Sequence, residues 1–229
     1  MKINEFHILG SAAKKPGAGA AIFADGSADD SFRPEQDLEL SHWIPNRTPN
    51  RYNADTSTEI CMNFAANPPP GPWELAVNNP VAVDGLLSAF TLMRSDFALE
   101  HRATIVQAAE IGDFWGWGER RAQVLFQGLT LFMNGLGQEK RDPQEIYRLS
   151  FDRIRSLILG EHDRDPAIQG GLRALEVSLE RLAGGRIRRH ELHNRLVQYF
   201  IPFDVAENHR REILAAPAFN APFTDEIFL

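Results

Sequence analysis

Residues 73–89 read WELAVNNPVAVDGLLSA, and the order of elements in this stretch decides the fold. The positions 73–77 predict a short strand, and the two asparagines and the proline that follow predict a loop. Apolar residues then occupy most positions from 86 to 93, which predicts a helix buried against the sheet. The stretch therefore predicts a strand, a loop and a helix in series.

Two more strands are predicted upstream of this unit. Residues 20–24, AAIFA, are short and apolar, and a turn follows at 25–27. Residues 38–43 alternate apolar and polar side chains before a Pro/Asn-rich loop, and a capped helix start follows at 55–59. This alternation predicts an α/β fold with a mostly parallel sheet and flanking helices, in which ligands bind beyond the carboxyl ends of the strands.

The second half of the chain is predicted to be mainly helical. Apolar residues recur at helical spacing over 97–109, 119–136, 143–159 and 167–182, with a glycine-rich break at 112–118. A last strand is predicted at 196–202. We therefore expect an α/β domain over residues 1–110 and a helical lobe or cap with a C-terminal strand over residues 111–229.

Composition excludes several classes of protein. The 229-residue chain has a net charge of −7 and one cysteine, Cys61, which we expect to be a small core residue. One cysteine cannot form an intrachain disulfide, and no apolar run approaches the roughly 20 residues of a membrane helix. Scattered Lys and Arg residues argue against a nucleic-acid partner. We expect a cytoplasmic protein without nucleic-acid or membrane partners.

Three residues at predicted strand ends or helix starts are candidates for catalysis and metal binding: Asp25, His42 and Asp84. If they face one pocket, their carboxylate and imidazole groups suit Mn, Fe, Zn or Mg as a divalent cation. Alternatively, each Asp forms a turn or caps a helix, and His42 is a hydrogen-bonded histidine in a wall. Their joint placement favours the functional interpretation.

A larger set of polar residues is predicted to bind a small anionic substrate. The loop at 46–51 offers two guanidinium groups and several amides, which suit an anion, although an ordinary solvated turn explains the same composition. The asparagine pair after the third strand could bind a ligand or cap the next segment. The predicted substrate-binding residues are Asn46, Arg47, Thr48, Arg51, Asp55, Ser57, Asn78 and Asn79.

Two further motifs carry weaker signals. Asp113 lies in the glycine-rich break, where Trp115 and Trp117 form either an aromatic lid or, as we favour, core anchors. His190 and His193 have the spacing of half a metal site, but one turn of a charged helix or strand explains this spacing equally well.

The order of these motifs resembles the DHH phosphoesterase superfamily. Ser41-His42-Trp43, the Pro/Asn loop and the helix start at 55–60 resemble its Asp-His-His strand end, loop and Ser/Thr-rich helix start. Residues 83–89 are similar to the end of its His-x-Asp-x-Asp-Gly-x-x-Ser-Ala motif, and Asp25 matches its isolated metal-binding Asp. The resemblance covers roughly residues 20–95 and implies a divalent metal and phosphoesterase activity. Residues 41–46 also resemble a segment of an uncharacterised bacterial family.

The chain departs from the DHH pattern at four positions. Pro80 and Ala82 stand where that motif has its His and first Asp, and Ser41 and Trp43 stand where it has the paired Asp and His. The order of the motifs is also rotated. By resemblance, the chain keeps about half of the ligands of a two-metal centre.

Three functions follow from these observations. The first is a hydrolase with a DHH-like pocket acting on a small anionic, phosphorylated metabolite. The second is a metal-independent enzyme that uses His42 as acid or base. The third is a non-catalytic binding or assembly protein, for which a homodimer is one expectation.

Overall fold

A four-stranded parallel sheet forms the centre of the computed structural model. Its strands are β1 (Glu5–Ile8), β2 (Ala20–Ala24), β3 (Leu38–Leu40) and β4 (Trp73–Asn78), in the order β1-β4-β2-β3. All three pairings are parallel. The structure describes residues 3–26, 28–78, 82–114, 118–193 and 196–202. The α/β class and the parallel sheet are confirmed.

The central strand β2 is apolar along its whole length because both of its faces are covered. Ile22 and Ala24 face the core formed with α1 (Ser57–Ala66) and α2 (Val83–Met93). On the opposite face, Phe23 packs with residues of the loops around the sheet. Cys61 of α1 is fully buried in the first of these cores, as predicted.

The helical region follows α2. Its helices are α3 (Ser95–Glu100), α4 (Arg102–Phe114), α5 (Arg120–Gln138), α6 (Pro143–Ile158) and α7 (Pro166–Ala183). A short 3-10 helix, Asn50–Tyr52, precedes α1. None of the described helices is long and apolar enough to cross a membrane.

The boundaries of α4 differ from the sequence prediction. The predicted helix at 97–109 is divided at His101, and α4 continues through the predicted break as far as Phe114. Gly112 does not end the helix: a Cβ on it would lie 3.4 Å from the Cβ of Val83 and 3.5 Å from Phe126. Both distances are ordinary van der Waals contacts, so the packing of α4 against the start of α2 does not depend on the missing side chain.

Strand β1 and a hairpin were not predicted. The backbone N–H of Ile8 donates to the Gln144 side chain (2.8 Å), and Gln144 Nε2 donates to Phe6 O (2.7 Å), so α6 closes the outer edge of β1. Strands β5 (Arg188–His193) and β6 (Leu196–Phe200) form a separate antiparallel pair. Only the second of these was predicted, and in the described structure the pair does not join the parallel sheet.

The predicted domain boundary after residue 110 falls inside α4. One core cluster contains Ile8 and Leu87 from the first predicted domain together with Tyr147 and Ile168 from the second. The division into two domains stays a prediction.

Candidate metal centre

Asp25, His42 and Asp84 meet beyond the carboxyl ends of the parallel strands. Asp25 follows β2, His42 lies just after β3, and Asp84 is in the first turn of α2. His42 Nε2 lies 3.8 Å from Asp25 Oδ1 and 3.7 Å from Asp84 Oδ2. One ligand atom from each residue lies within 4.8 Å of the other two. The structure therefore brings the three predicted residues together.

Asp84 is fixed by the start of α1. Its Oδ2 accepts the backbone N–H of Ser57 (2.9 Å), and its Oδ1 accepts that of Thr58 (2.8 Å). These amides are the free donors of a helix N-terminus, which favours negative charge. Ser57 thus donates its backbone N–H to Asp84 and its hydroxyl to Asp25, and its predicted role in substrate binding stays a prediction.

Asp25 is held in the left-handed backbone region, with φ 58°. Its Oδ1 accepts hydrogen bonds from Ser57 Oγ (3.1 Å) and from Trp43 Nε1 (2.9 Å). Burial, reinforced by the neighbouring carboxylate of Asp84, raises the pKa of Asp25 to about 6. Asp25 is therefore a buried carboxylate that makes no ion pair with a Lys or Arg residue in the described part of the chain.

The orientation of His42 is set by a backbone carbonyl. His42 Nδ1 lies 2.7 Å from Asp55 O, so Nδ1 carries the hydrogen and Nε2 points into the carboxylates. The same arrangement is typical of a metal-binding histidine, in which an outer carbonyl fixes the ring. Asp55 was predicted to bind substrate, but its contact with the site is made by its carbonyl oxygen, and its side chain is exposed.

A third carboxylate, Asp113, joins the cluster from α4. Its Oδ2 lies 3.3 Å from His42 Nε2, closer than either predicted aspartate. Burial and the carboxylates of Asp84 and Asp25 raise the pKa of Asp113 to about 7. The sequence interpretation named Asp113 but gave it no role in the site because it placed the segment in a loop. The available signal was weak: the apolar positions of α4 continue to Ile111.

Buried oxygen atoms also converge around Gly85. Asn78 Nδ2 donates to Gly85 O (2.5 Å), while the buried Asn78 Oδ1 has no hydrogen-bond partner in the described structure. A Cβ on Gly85 would lie 2.7 Å from Asp25 Oδ2, 2.9 Å from Asn78 Oδ1 and 2.9 Å from the Tyr147 hydroxyl. Only glycine fits here. An unpaired buried acceptor beside a carboxylate requires a donor or a cation.

Asn46 and Thr48 shape the loop that carries Trp43. Thr48 Oγ1 donates to Ser41 O (2.7 Å) and accepts the Ser41 N–H (2.8 Å). Asn46 Nδ2 donates to Trp43 O (2.9 Å), and its Oδ1 accepts the Thr48 N–H (3.0 Å). These contacts hold Trp43 beside Asp25. A role of Asn46 and Thr48 in substrate binding stays a prediction.

The two arginines predicted to bind the anion make contacts elsewhere. The guanidinium of Arg47 lies over Phe32 (5.1 Å to the ring centroid) and 3.7 Å from Glu39. That of Arg51 lies over the Tyr52 ring at 4.6 Å. The contacts given for them in the described part of the chain do not include the acidic cluster, so their role also stays a prediction.

Some residues singled out in the sequence lie outside the described part of the chain. Asn79, Pro80, Trp115 and Trp117 lie outside the described residues. His190 and His193 both lie on β5, so the strand alternative applies to this pair.

The positions that depart from the DHH pattern have visible consequences. The Trp43 indole occupies space beside Asp25 as a hydrogen-bond donor, where the motif would place a histidine. Ala82, directly before α2, offers no ligand atom. The candidate ligands in the described part of the chain are Asp25, His42 and Asp84, and Asp113 lies beside His42.

The chain belongs to a family described as a family of unknown function (DUF6687), whose model matches residues 11–146. The matched range includes Asp25, His42, Asp84 and Asp113. No curated protein and no solved structure matches the chain.

Proposed function

We propose that this member of the DUF6687 family is a metal-dependent hydrolase that acts on a small anionic, phosphate-bearing metabolite. One observation carries the proposal: His42 Nε2 faces the carboxylates of Asp25, Asp84 and Asp113 at 3.3–3.8 Å while its Nδ1 is held by a backbone carbonyl. Imidazole nitrogen and carboxylate oxygen suit Mn, Fe, Zn or Mg.

The spacing and charge of the cluster fit a single divalent cation. Ligands that each lie about 2.0–2.6 Å from one cation are separated by at most about 5 Å. The ligand atoms of Asp25, His42 and Asp84 lie within 4.8 Å of one another, which satisfies this limit. Burial and the neighbouring carboxylates raise the pKa values of Asp25 and Asp113, and the unpaired Asn78 Oδ1 adds a further acceptor.

The residues of the chain have separate tasks in this proposal. Ser57 and Thr58 orient Asp84, Trp43 orients Asp25, and Asp55 orients His42. Asp113, whose side chain is 23% exposed, is the fourth ligand on the solvent side. When bound, the cation would polarise a phosphoryl oxygen and lower the pKa of a water molecule. The resemblance of residues 41–60 and 83–89 to DHH phosphoesterases supports the choice of a phosphate ester.

The proposal is tested by the metal content and activity of the purified protein. We expect about one Mn, Fe, Zn or Mg per chain by elemental mass spectrometry, and hydrolysis of p-nitrophenyl phosphate that stops after chelation. Asp84→Asn should lose the metal, while Asp37→Asn, which changes a buried aspartate away from the cluster, should keep it. Circular dichroism establishes that both variants fold. A wild-type protein that binds none of the four metals would contradict the proposal.

A metal-independent enzyme is the second candidate. The 3.3 Å contact between His42 Nε2 and Asp113 and the pKa of about 7 for Asp113 favour proton transfer near neutral pH. In this case chelation leaves activity unchanged and His42→Ala abolishes it. If neither treatment reveals activity, the third function, a non-catalytic binding or assembly protein, becomes the leading one.

A further inference from the structure

Exposed aromatic side chains border the acidic cluster. The structure exposes five large apolar residues in its described part, and three of them are near His42 in space or sequence: Trp43 (56% exposed), Ile44 (92%) and Phe114 (53%). Large apolar groups clustered at a polar pocket are informative, whereas single exposed ones are ordinary.

Two of these side chains contact His42 from different elements. The Trp43 ring lies 6.3 Å from the His42 ring at 77°, and the Phe114 ring, from the end of α4, lies 5.8 Å from it at 74°. We call Trp43 and Phe114 the aromatic rim. His42 therefore has two rings beside it that keep much of their surface open to solvent.

Hydrogen bonds orient the rim on the Trp43 side. Trp43 Nε1 donates to Asp25 Oδ1 at 2.9 Å, and the hydrogen bonds of Asn46 and Ser41 hold its backbone. A ligand ring that stacks on the indole is consequently close to the carboxylates, and a short substituent on that ring can reach them. Exposed, oriented rings beside a polar centre are suited to binding an aromatic group of a ligand.

We propose that the substrate carries a planar aromatic ring, which packs on the aromatic rim of Trp43 and Phe114 while its anionic group lies at the cation. This inference rests on the proposed function and specifies its substrate class as aryl or heteroaryl phosphate esters. The occupant is a small-molecule ring because both rim rings lie directly beside His42, at 6.3 and 5.8 Å, where a ring attached to a group bound at the cluster would meet them.

The test compares two ligands that differ only in the ring. Phenylphosphonate and methylphosphonate carry the same anionic group and no hydrolysable ester. Isothermal titration calorimetry of the Mn²⁺-loaded protein should give about tenfold tighter binding of phenylphosphonate, the size expected for stacking on one or two aromatic side chains. Equal affinities, with Mn²⁺ bound, would overturn the aromatic inference and leave the proposed function intact.

Matched variants assign the preference to the rim. Phe114→Ala should reduce the ratio of the two affinities to less than threefold, while Leu159→Ala, which removes a 50% exposed side chain after α6, should keep it. Trp43→Phe retains a ring and should preserve most of the preference. A full preference in Phe114→Ala contradicts the inference.

Two other outcomes also decide the question. If the wild type is a dimer in light scattering and Phe114→Ala is a monomer, the rim belongs to an interface between two copies and the inference fails. If elemental analysis finds no Mn²⁺ in the loaded wild type, the proposed function fails and the inference fails with it.

Discussion

A buried aspartate lies at each end of the parallel sheet, and the pKa values of the two are shifted in opposite directions. At the amino end of β3, Asp37 accepts hydrogen bonds from the Ala21 backbone (2.9 Å) and from the Arg33 guanidinium (2.6 Å). Burial alone would raise the pKa of Asp37, but the hydrogen bonds from Arg33 and Ala21 outweigh it and lower that pKa. At the carboxyl end of β2, burial and Asp84 raise the pKa of Asp25.

Asp37 is thus a structural carboxylate with its own cationic partner, whereas Asp25 is a carboxylate whose charge is not compensated. Arg33 compensates the charge of Asp37 within the chain, and the resulting contact fixes the entry to β3. At the other end, three carboxylates share one histidine, so negative charge is in excess. Because buried, uncompensated charge destabilises a fold, this excess favours uptake of a proton or a cation.

The largest expected effect is stabilisation by the cation at the carboxyl end. Mn²⁺ at about 100 times its dissociation constant should raise the free energy of unfolding by about 2.7 kcal/mol, since it binds only the folded state. For a chain of this size the melting temperature should rise by about 5–10 °C in differential scanning calorimetry. Asp84→Asn should show little of this shift. An unchanged wild-type melting temperature would show that the carboxyl end of the sheet does not bind Mn²⁺.

Asp37→Asn should have an intermediate effect and should destabilise the protein. The change leaves the Arg33 guanidinium without its charged partner and should lower the free energy of unfolding by about 1–3 kcal/mol at pH 7, measured by urea denaturation. Because the pKa of Asp37 is lower in the folded state, its contribution is present above about pH 4 and is lost as the pH falls through its folded pKa. The variant and the wild type should therefore converge in acid, and parallel curves would refute this role of Asp37.

The smallest effect is expected for Asp113→Asn in the metal-free protein, where the substitution should increase stability. The folded pKa of about 7 exceeds the unfolded value, so the penalty of ionised Asp113 builds up as the pH rises from about 4 to about 7 and is fully present above that. Removing the charge should stabilise the metal-free protein by about 1 kcal/mol at pH 8, since solvent at the partly exposed side chain reduces the repulsion, and by less at pH 5.

The control for this variant is Asp152→Asn, an exposed position on α6, which should change stability by less than about 0.5 kcal/mol. With Mn²⁺ present, Asp113→Asn should become the less stable protein because it has lost a ligand. A loss of stability in the metal-free variant would show that Asp113 is compensated, as Asp37 is.

The sequence was sufficient to predict three of the four strands of the sheet and three members of the cluster. Residues 20–24 and 73–77 carry local signals for strands, and the geometry of parallel sheets brings the groups after their carboxyl ends together. Asp25, His42 and Asp84 can therefore be grouped from the sequence alone. Their individual hydrogen bonds, such as that from His42 to Asp55 O, depend on loop conformations without a comparable rule.

Asp113 and β1 could not be predicted because tertiary packing places them. Asp113 lies near the end of α4, which brings it to 3.3 Å from His42, about seventy positions earlier in the chain. Strand β1 has four residues and pairs with β4, about seventy positions later in the chain. In both cases the deciding contact joins residues far apart in sequence, where local patterns have no information.

The contact between Gln144 and β1 has a consequence for solubility. Phe6 O and Ile8 N are the groups through which an edge strand would recruit another strand, and the Gln144 amide satisfies both, as a neighbouring strand would. A single side chain of α6 thus ends the sheet at β1. The protein is in this way protected at that edge against open-ended strand addition, the first step of aggregation through β-sheets.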